Sequence, residues 1–274
     1  YRAVQFNTGL AAEKTGRWIE AVELYGDLLA GPSDEDERVT FRFRLVECTV
    51  QAGLWKDARE HIGWLLRRAD TTAVDRFELL VTRAWVDASD GNPDKAKAEL
   101  RRLVGQYRFD RGRTYGARQG AKAWFHLGEV HRLQAEQSPL DHVDDPTLAR
   151  KELNDKAVHI LEAQEAYLQT VRIGDREWIP RAGWRLGGLY EQFREDILRS
   201  PFPAEVLSDE DGQIYREILS EQTAVLLLKA RTVYQKVLGK AAEVSMHDEW
   251  VVRIREALDE LERELTEQGL AADI

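Results

Sequence analysis

The side chains best suited to chemistry in this chain do not fall into a catalytic pattern. His126 and His131 stand five residues apart, so they do not share a helix face as the histidines of a His-Glu-x-x-His zinc site do. Asp141-His142-Val143-Asp144-Asp145 carries metal-capable side chains without a ligand spacing, and helix capping by Asp145 is the simpler reading. Cys48 lies beside Val46 and Thr49 with no His and Asp arrangement to activate it, which makes it a small core residue. As the single cysteine it also excludes an internal disulfide framework. No Gly-rich phosphate loop, Gly-x-Ser-x-Gly or paired-carboxylate pattern is present. The expectation is a chain that is not an enzyme and uses no metal and no cofactor.

Charge offers one further candidate. From Arg101 to Lys122 there are seven basic residues and one acid, interleaved with Gly105, Gly112, Gly116 and Gly120. Arg108, Arg111, Arg113 and Arg118 could dock an acidic partner, a phosphate or an anionic lipid surface. A solvated linker is the plainer reading of such a stretch. The chain as a whole carries a net charge of -10, which argues against nucleic acid as a partner.

The elements that must position these residues are helical throughout, because the apolar spacing is helical and no segment alternates. They also repeat. Gly16-Arg17-Trp18-Ile19-Glu20-Ala21-Val22-Glu23-Leu24-Tyr25 returns at Gly53 to Ile62 and, more worn, at Gly91 to Leu100, with starts 37 and 38 residues apart. A fixed period of this size means stacked helical units. Each Gly ends a helix, where it tolerates the left-handed conformation. Ala21, Ala58 and Ala96 let helices cross closely, and Tyr25, Ile62 and Leu100 fill the hairpin core one turn later. Asp145-Pro146 predicts an N-cap and first-turn proline opening a helix over 146–173. Pro201-Phe202-Pro203 stops a helix near Arg199, a long helix is predicted over 208–244, and an amphipathic helix over 248–268 suits a cap on the stack.

The pattern resembles the tetratricopeptide repeat, a helix-turn-helix unit of about 34 residues. Its first-helix signature is best in Trp124-Phe125-His126-Leu127-Gly128-Glu129-Val130-His131 and in Leu186-Gly187-Gly188-Leu189-Tyr190; second helices return at Ala163 to Tyr167 and Ala230 to Tyr234. The resemblance implies an all-α superhelix of about five hairpins over 1–274, with regular repeats at 2–108, irregular repeats with inserted long helices at 117–244 and the capping helix. His131 takes a place where the family carries Tyr, so packing accounts for it. The run Leu189-Tyr190-Glu191, Pro201-Phe202-Pro203, Tyr215, Tyr234, Val237 and Trp250-Val251 is similar to envelope-associated tetratricopeptide proteins of gliding and predatory bacteria, which are scaffolds in envelope and motility machines.

In this family the first helix of each hairpin lines a concave groove. One groove-side place holds Phe6, Phe43, Val81, Phe125 and Trp184; four residues on come Leu10, Glu47, Trp85, Glu129 and Gly188; one residue after the aromatic come Asn7, Arg44, Thr82, His126 and Arg185. The resemblance thus implies a partner-binding groove with aromatic anchors and polar guides, suited to an extended or helical peptide. The alternative is that these rings pack between repeats or against the inserted helices. The family's clamp for a terminal carboxylate is absent, because its places hold Phe6, Leu10, Arg44, Glu78 and Thr82.

The expected function is a non-catalytic scaffold or adaptor that binds a protein or peptide in a multi-protein complex. A structural subunit contacting partners through its inserted helices, and a regulatory peptide or small-ligand sensor, are the alternatives. No apolar run approaches the roughly 20 residues of a membrane span. The chain begins without Met inside a helical pattern, so a trimmed sequence is expected, with any targeting segment before residue 1. A periplasmic or envelope-associated location is favoured.

Overall fold

A computed structural model describes residues 2–204, 206, 208–243, 246 and 248–268. Among the described residues the chain forms eleven α-helices and no strand. It divides into two compact units, Tyr1–Thr114 and Tyr115–Ile274. Among the described residues no helix is long and apolar enough to cross a membrane.

The first unit holds α1 (Arg2–Lys14), α2 (Trp18–Ala30), α3 (Glu35–Gln51), α4 (Trp55–Arg67), α5 (Ala73–Ser89) and α6 (Pro93–Asp110). Each helix packs on the next, giving three hairpins in series. The turns are built as the sequence predicts: Gly16, Gly53 and Gly91 have φ of 72°, 72° and 88°. That left-handed conformation lets the backbone N–H of the following residue bond back to the end of the helix, as Arg17 does to Ala12 at 2.9 Å. Between hairpins, α3 starts at a capping box in which Asp34 accepts from the Glu37 N–H at 2.8 Å and Glu37 accepts from the Asp34 N–H at 3.3 Å.

The second unit holds α7 (Ala117–Glu136), α8 (Pro146–Ile173), α9 (Trp178–Leu198), α10 (Asp209–Glu243) and α11 (Glu249–Glu267). The Asp145 side chain caps α8 by accepting from the N–H groups of Thr147 and Leu148 at 2.8 and 3.1 Å. The predicted helices at 146–173 and 248–268 are α8 and α11, and Arg199 is the C-cap of α9. Val244, the predicted end of the long helix, lies outside the described residues. The inserted stretches are not separate elements. They extend the second helices backwards, so that α8 and α10 have 28 and 35 residues, and α10 is about 52 Å long at about 1.5 Å per residue.

One packing rule runs through both units. In three hairpins a glycine on the first helix faces a tyrosine ring on the second: Gly9 and Tyr25, Gly128 and Tyr167, Gly187 and Tyr234. A Cβ added at these glycines would stand 2.8, 2.7 and 2.0 Å from the ring, closer than atoms can approach. The other hairpins reach a similar total size with different residues. Val46 shares a core with Ile62, and Ala84 and Leu100 hold the equivalent places; all four are buried. Local volume is therefore conserved pair by pair, as close packing demands. Ala21, Ala58 and Ala96 are 0, 0 and 1% exposed, which is the close helix crossing read from the sequence. Cys48 is fully buried, its thiol pushed up to about 12 by burial and then by Glu13, which leaves it inert.

Candidate functional site

In the first unit the predicted groove residues stay near the surface, each engaged locally. Phe6 packs on Tyr25 and Phe41 at 5.8 and 6.0 Å between centroids, and lines a shallow hollow of about 400 Å³ with Arg2 and Leu28. Leu10, Phe43 and Trp85 are half-buried, and Phe43 packs against the core around Val46. Arg44 pairs with Glu13 at 3.1 Å, and the exposed Glu47 accepts from Gln51 at 3.1 Å. Arg108, Arg111 and Arg113 are exposed at the end of α6 and the turn after it. Arg118 belongs to the second unit, where it pairs with Glu177.

In the second unit the predicted residues lie on α7 and α9, which pack on each other. Phe125 is in the core, 8% exposed, with its ring centroid 5.8 Å from Tyr167 and 5.0 Å from Trp178. His126 packs edge-on to the same Trp178 ring at 5.9 Å. Burial, and then the positive charges of Lys122 and Arg181, hold its imidazole well below the usual range.

Glu129 is 2% exposed and forms the centre of a polar network. Tyr167 donates its O–H to Glu129 at 2.5 Å, Arg132 donates to it at 3.4 Å, and Arg185 stands 3.0 Å away as an ion pair. A buried carboxylate needs such partners, since burial without them costs several kcal/mol. Phe125 and Glu129 therefore act from beneath the surface, holding α7, α8 and α9 together.

Trp184 remains half-buried. Its ring leans on Trp250 of α11 with centroids 5.3 Å apart, and the Arg185 guanidinium lies over it at 4.7 Å. Next to this stack is a cavity of about 280 Å³. Arg132 and Glu136 of α7 form one wall, Trp184, Arg185 and Glu191 of α9 the other, and Tyr234 closes the back. Gly188 lines the cavity. A Cβ there would meet nothing nearer than the Tyr234 hydroxyl at 4.0 Å, whereas its neighbour Gly187 is fully committed to packing. Tyr234 donates to Glu191 at 2.5 Å, and burial raises the Glu191 carboxyl above its usual range despite that bond. A wider, open cleft of about 1120 Å³ lies near Phe202 and Arg216 and holds none of the predicted site residues.

Two buried cations were not anticipated from the sequence. Lys156 of α8, 3% exposed, donates to the carbonyls of Ala135 and Ser138 at 2.8 and 3.0 Å and pairs with Asp196 at 2.8 Å. Arg194 of α9 reaches Glu264 at 2.8 Å and Ser220 at 2.9 Å, tying α11 and α10 to α9. A lysine or arginine on a helix reads as surface until the facing helix is known; only their helical register with Ile160 and Tyr190 hinted at burial.

With the Gly–Tyr pairs, the left-handed turn glycines and the first-helix stack of α7 and α9 in place, the architecture has a description. The hairpins are tetratricopeptide-like. No family model matches the chain, and no curated protein matches it in sequence. Among solved structures, a Rap protein complexed with competence and sporulation factor aligns over 96% of this chain and 75% of its own, at 13% identity and a TM-score of 0.45. The TPR domain of P58(IPK) aligns over 97% of this chain and 80% of its own, at 16% identity and a TM-score of 0.21. The tetratricopeptide-like character rests on this chain's own hairpins.

Proposed function

We propose that the chain is a non-catalytic interaction module whose second unit anchors a peptide segment of a partner protein. The observation that carries this is the cavity floored by Gly188, at places where the repeat pattern puts a partner-facing groove. At about 280 Å³ it is just smaller than the roughly 300–1,000 Å³ pockets that enclose drug-sized ligands, and it suits one large side chain. Ile160, Leu189, Ala257 and the Trp184 ring offer apolar contact, while Glu191 and Gln192 offer acceptors. An aromatic or long aliphatic side chain with a donor at its tip fits both. Both arginines are already engaged by Glu129, so an anionic group gains little there.

The test is a peptide selected from a random library on the intact protein, then titrated against Gly188→Leu by fluorescence anisotropy. Filling the cavity should weaken binding by about tenfold or more with the melting temperature unchanged or raised, since one buried anchor carries most of such affinity. Equal affinity for the two proteins, or no enriched peptide, sinks the reading.

The extended helices favour a second reading, a structural subunit that docks through them. Val158 and Leu161 of α8 are 53 and 59% exposed, and Ile214 and Val225 of α10 are 50 and 52% exposed. Partner binding that survives Gly188→Leu and falls with Leu161→Glu would select it. The envelope or motility setting is supported by the spacing of the C-terminal aromatics and prolines. Fractionation of the source cells tests it, and a protein confined to the cytosol would end it.

A further inference from the structure

Away from the cavity, α7 and α8 bring His131 together with two side chains that lie far from it in the sequence. His131 is 2% exposed on α7, while His159 and Glu162 are three residues apart on α8 and so share its face. The Nδ1 of His131 stands 3.0 Å from Oε2 of Glu162, and the Nδ1 of His159 stands 4.0 Å from the same oxygen. One ligand atom from each residue lies within 4.8 Å of the other two. The imidazoles are roughly parallel, with centroids 6.3 Å apart. Among the described residues the buried Nδ1 of His159 has no hydrogen-bond partner. Packing accounts for the burial of His131, but it does not require a second imidazole and a carboxylate around that ring.

We propose that His131, His159 and Glu162 bind one divalent transition-metal ion of the zinc type and so staple α7 to α8. Two imidazoles and one carboxylate suit zinc, cobalt or nickel; calcium and magnesium take oxygen ligands. Around zinc, bonds of about 2.0–2.1 Å place tetrahedral ligand atoms about 3.3 Å apart, which the observed 3.0 and 4.0 Å bracket. The two imidazoles, whose ligand atoms lie within 4.8 Å of each other, would close in on the ion as it binds. Three protein ligands leave a fourth position for water. His159 and Glu162, with side chains 24 and 37% exposed, provide the solvent side through which the ion arrives. The site is independent of the peptide reading, since none of its residues lines the cavity.

The experiment uses the intact chain without a polyhistidine tag, stripped by chelator and titrated with zinc chloride by calorimetry, with the visible spectrum of the cobalt form as a second readout. One ion per chain with Kd below about 10 µM is expected. At 100 times Kd the melting temperature should rise by roughly 5–10 °C. His159→Ala and Glu162→Gln should each weaken binding by about tenfold or more, and Glu162→Gln keeps the size of the side chain so that the metal-free fold holds. His142→Ala, on the exposed loop beside Glu152, should change nothing. Affinity weaker than about 10 µM, or binding insensitive to both ligand substitutions, overturns the proposal.

Discussion

In residues 1–114 the second helices of the hairpins are 13, 13 and 18 residues long, and apolar pairs seal their cores; in the second unit they reach 28 and 35 residues and buried charges join the packing. Among its described residues the first unit has one comparable group, Asp87. Burial alone would raise its carboxyl, but Lys95 and Arg59 outweigh that and hold it below the usual carboxylate range. Among the described residues the second unit has three, Glu129, Lys156 and Arg194, each joining at least two helices. The contrast has a physical cause. A hairpin of short helices is covered by its repeat residues alone. Helices twice as long present extra flank, which must be matched by apolar side chains or by polar groups with complete partners. Where neither fills the space, as above Gly188, a cavity remains.

This contrast is most sharply broken at Lys156. Lys156→Met strands Asp196 and the Ala135 and Ser138 carbonyls, and urea denaturation should show a loss of about 3 kcal/mol or more. Arg59→Met at the more exposed Asp87 pair should cost about 1 kcal/mol or less by the same measurement. If the two losses are equal, buried charge does not distinguish the units.

Next in size is a pair of adjacent glycines. Gly187→Ala drives a methyl into the Tyr234 ring and should destabilise by about 1–3 kcal/mol. Gly188→Ala adds the same methyl to open space and should be neutral or stabilise by up to about 1 kcal/mol, because alanine favours the helix. Thermal melts of the two variants moving in the same direction would contradict the assignment of one glycine to packing and the other to the cavity.

The smallest effect is on pH. The folded state holds His126 well below the unfolded imidazole value of about 6.5, so the unfolded chain takes up the proton first as the pH falls. The stability carried by the neutral ring is present above that pH and is lost as pH drops below it, by up to about 1.4 kcal/mol per unit. His126→Asn should flatten that part of the denaturation profile between about pH 6.5 and 5. An unchanged slope would place the sensitivity elsewhere.

Much of the fold was legible in the sequence because its signals are local. Turn glycines, capping aspartates and first-turn prolines act within a few residues, so Gly16, Asp145 and Pro146 could be read without knowing what they face. Half of the candidate site was legible in the same way. Trp184, Arg185 and Gly188 followed from register on one helix, but Phe125 and Glu129 hold equivalent register and are buried, because α8 and α9 close over them. Lys156 and the His131, His159 and Glu162 cluster were not legible, since each requires knowing which turn of α7 meets which turn of α8.

The sequence by itself determined the helices and their hairpins, since those depend on chain neighbours and a repeat period. Only the tertiary structure decided which charges are buried, which glycine packs and which opens a cavity, and which histidines meet. Those outcomes depend on the spacing between helices distant in sequence, where a shift of one turn exchanges core for surface.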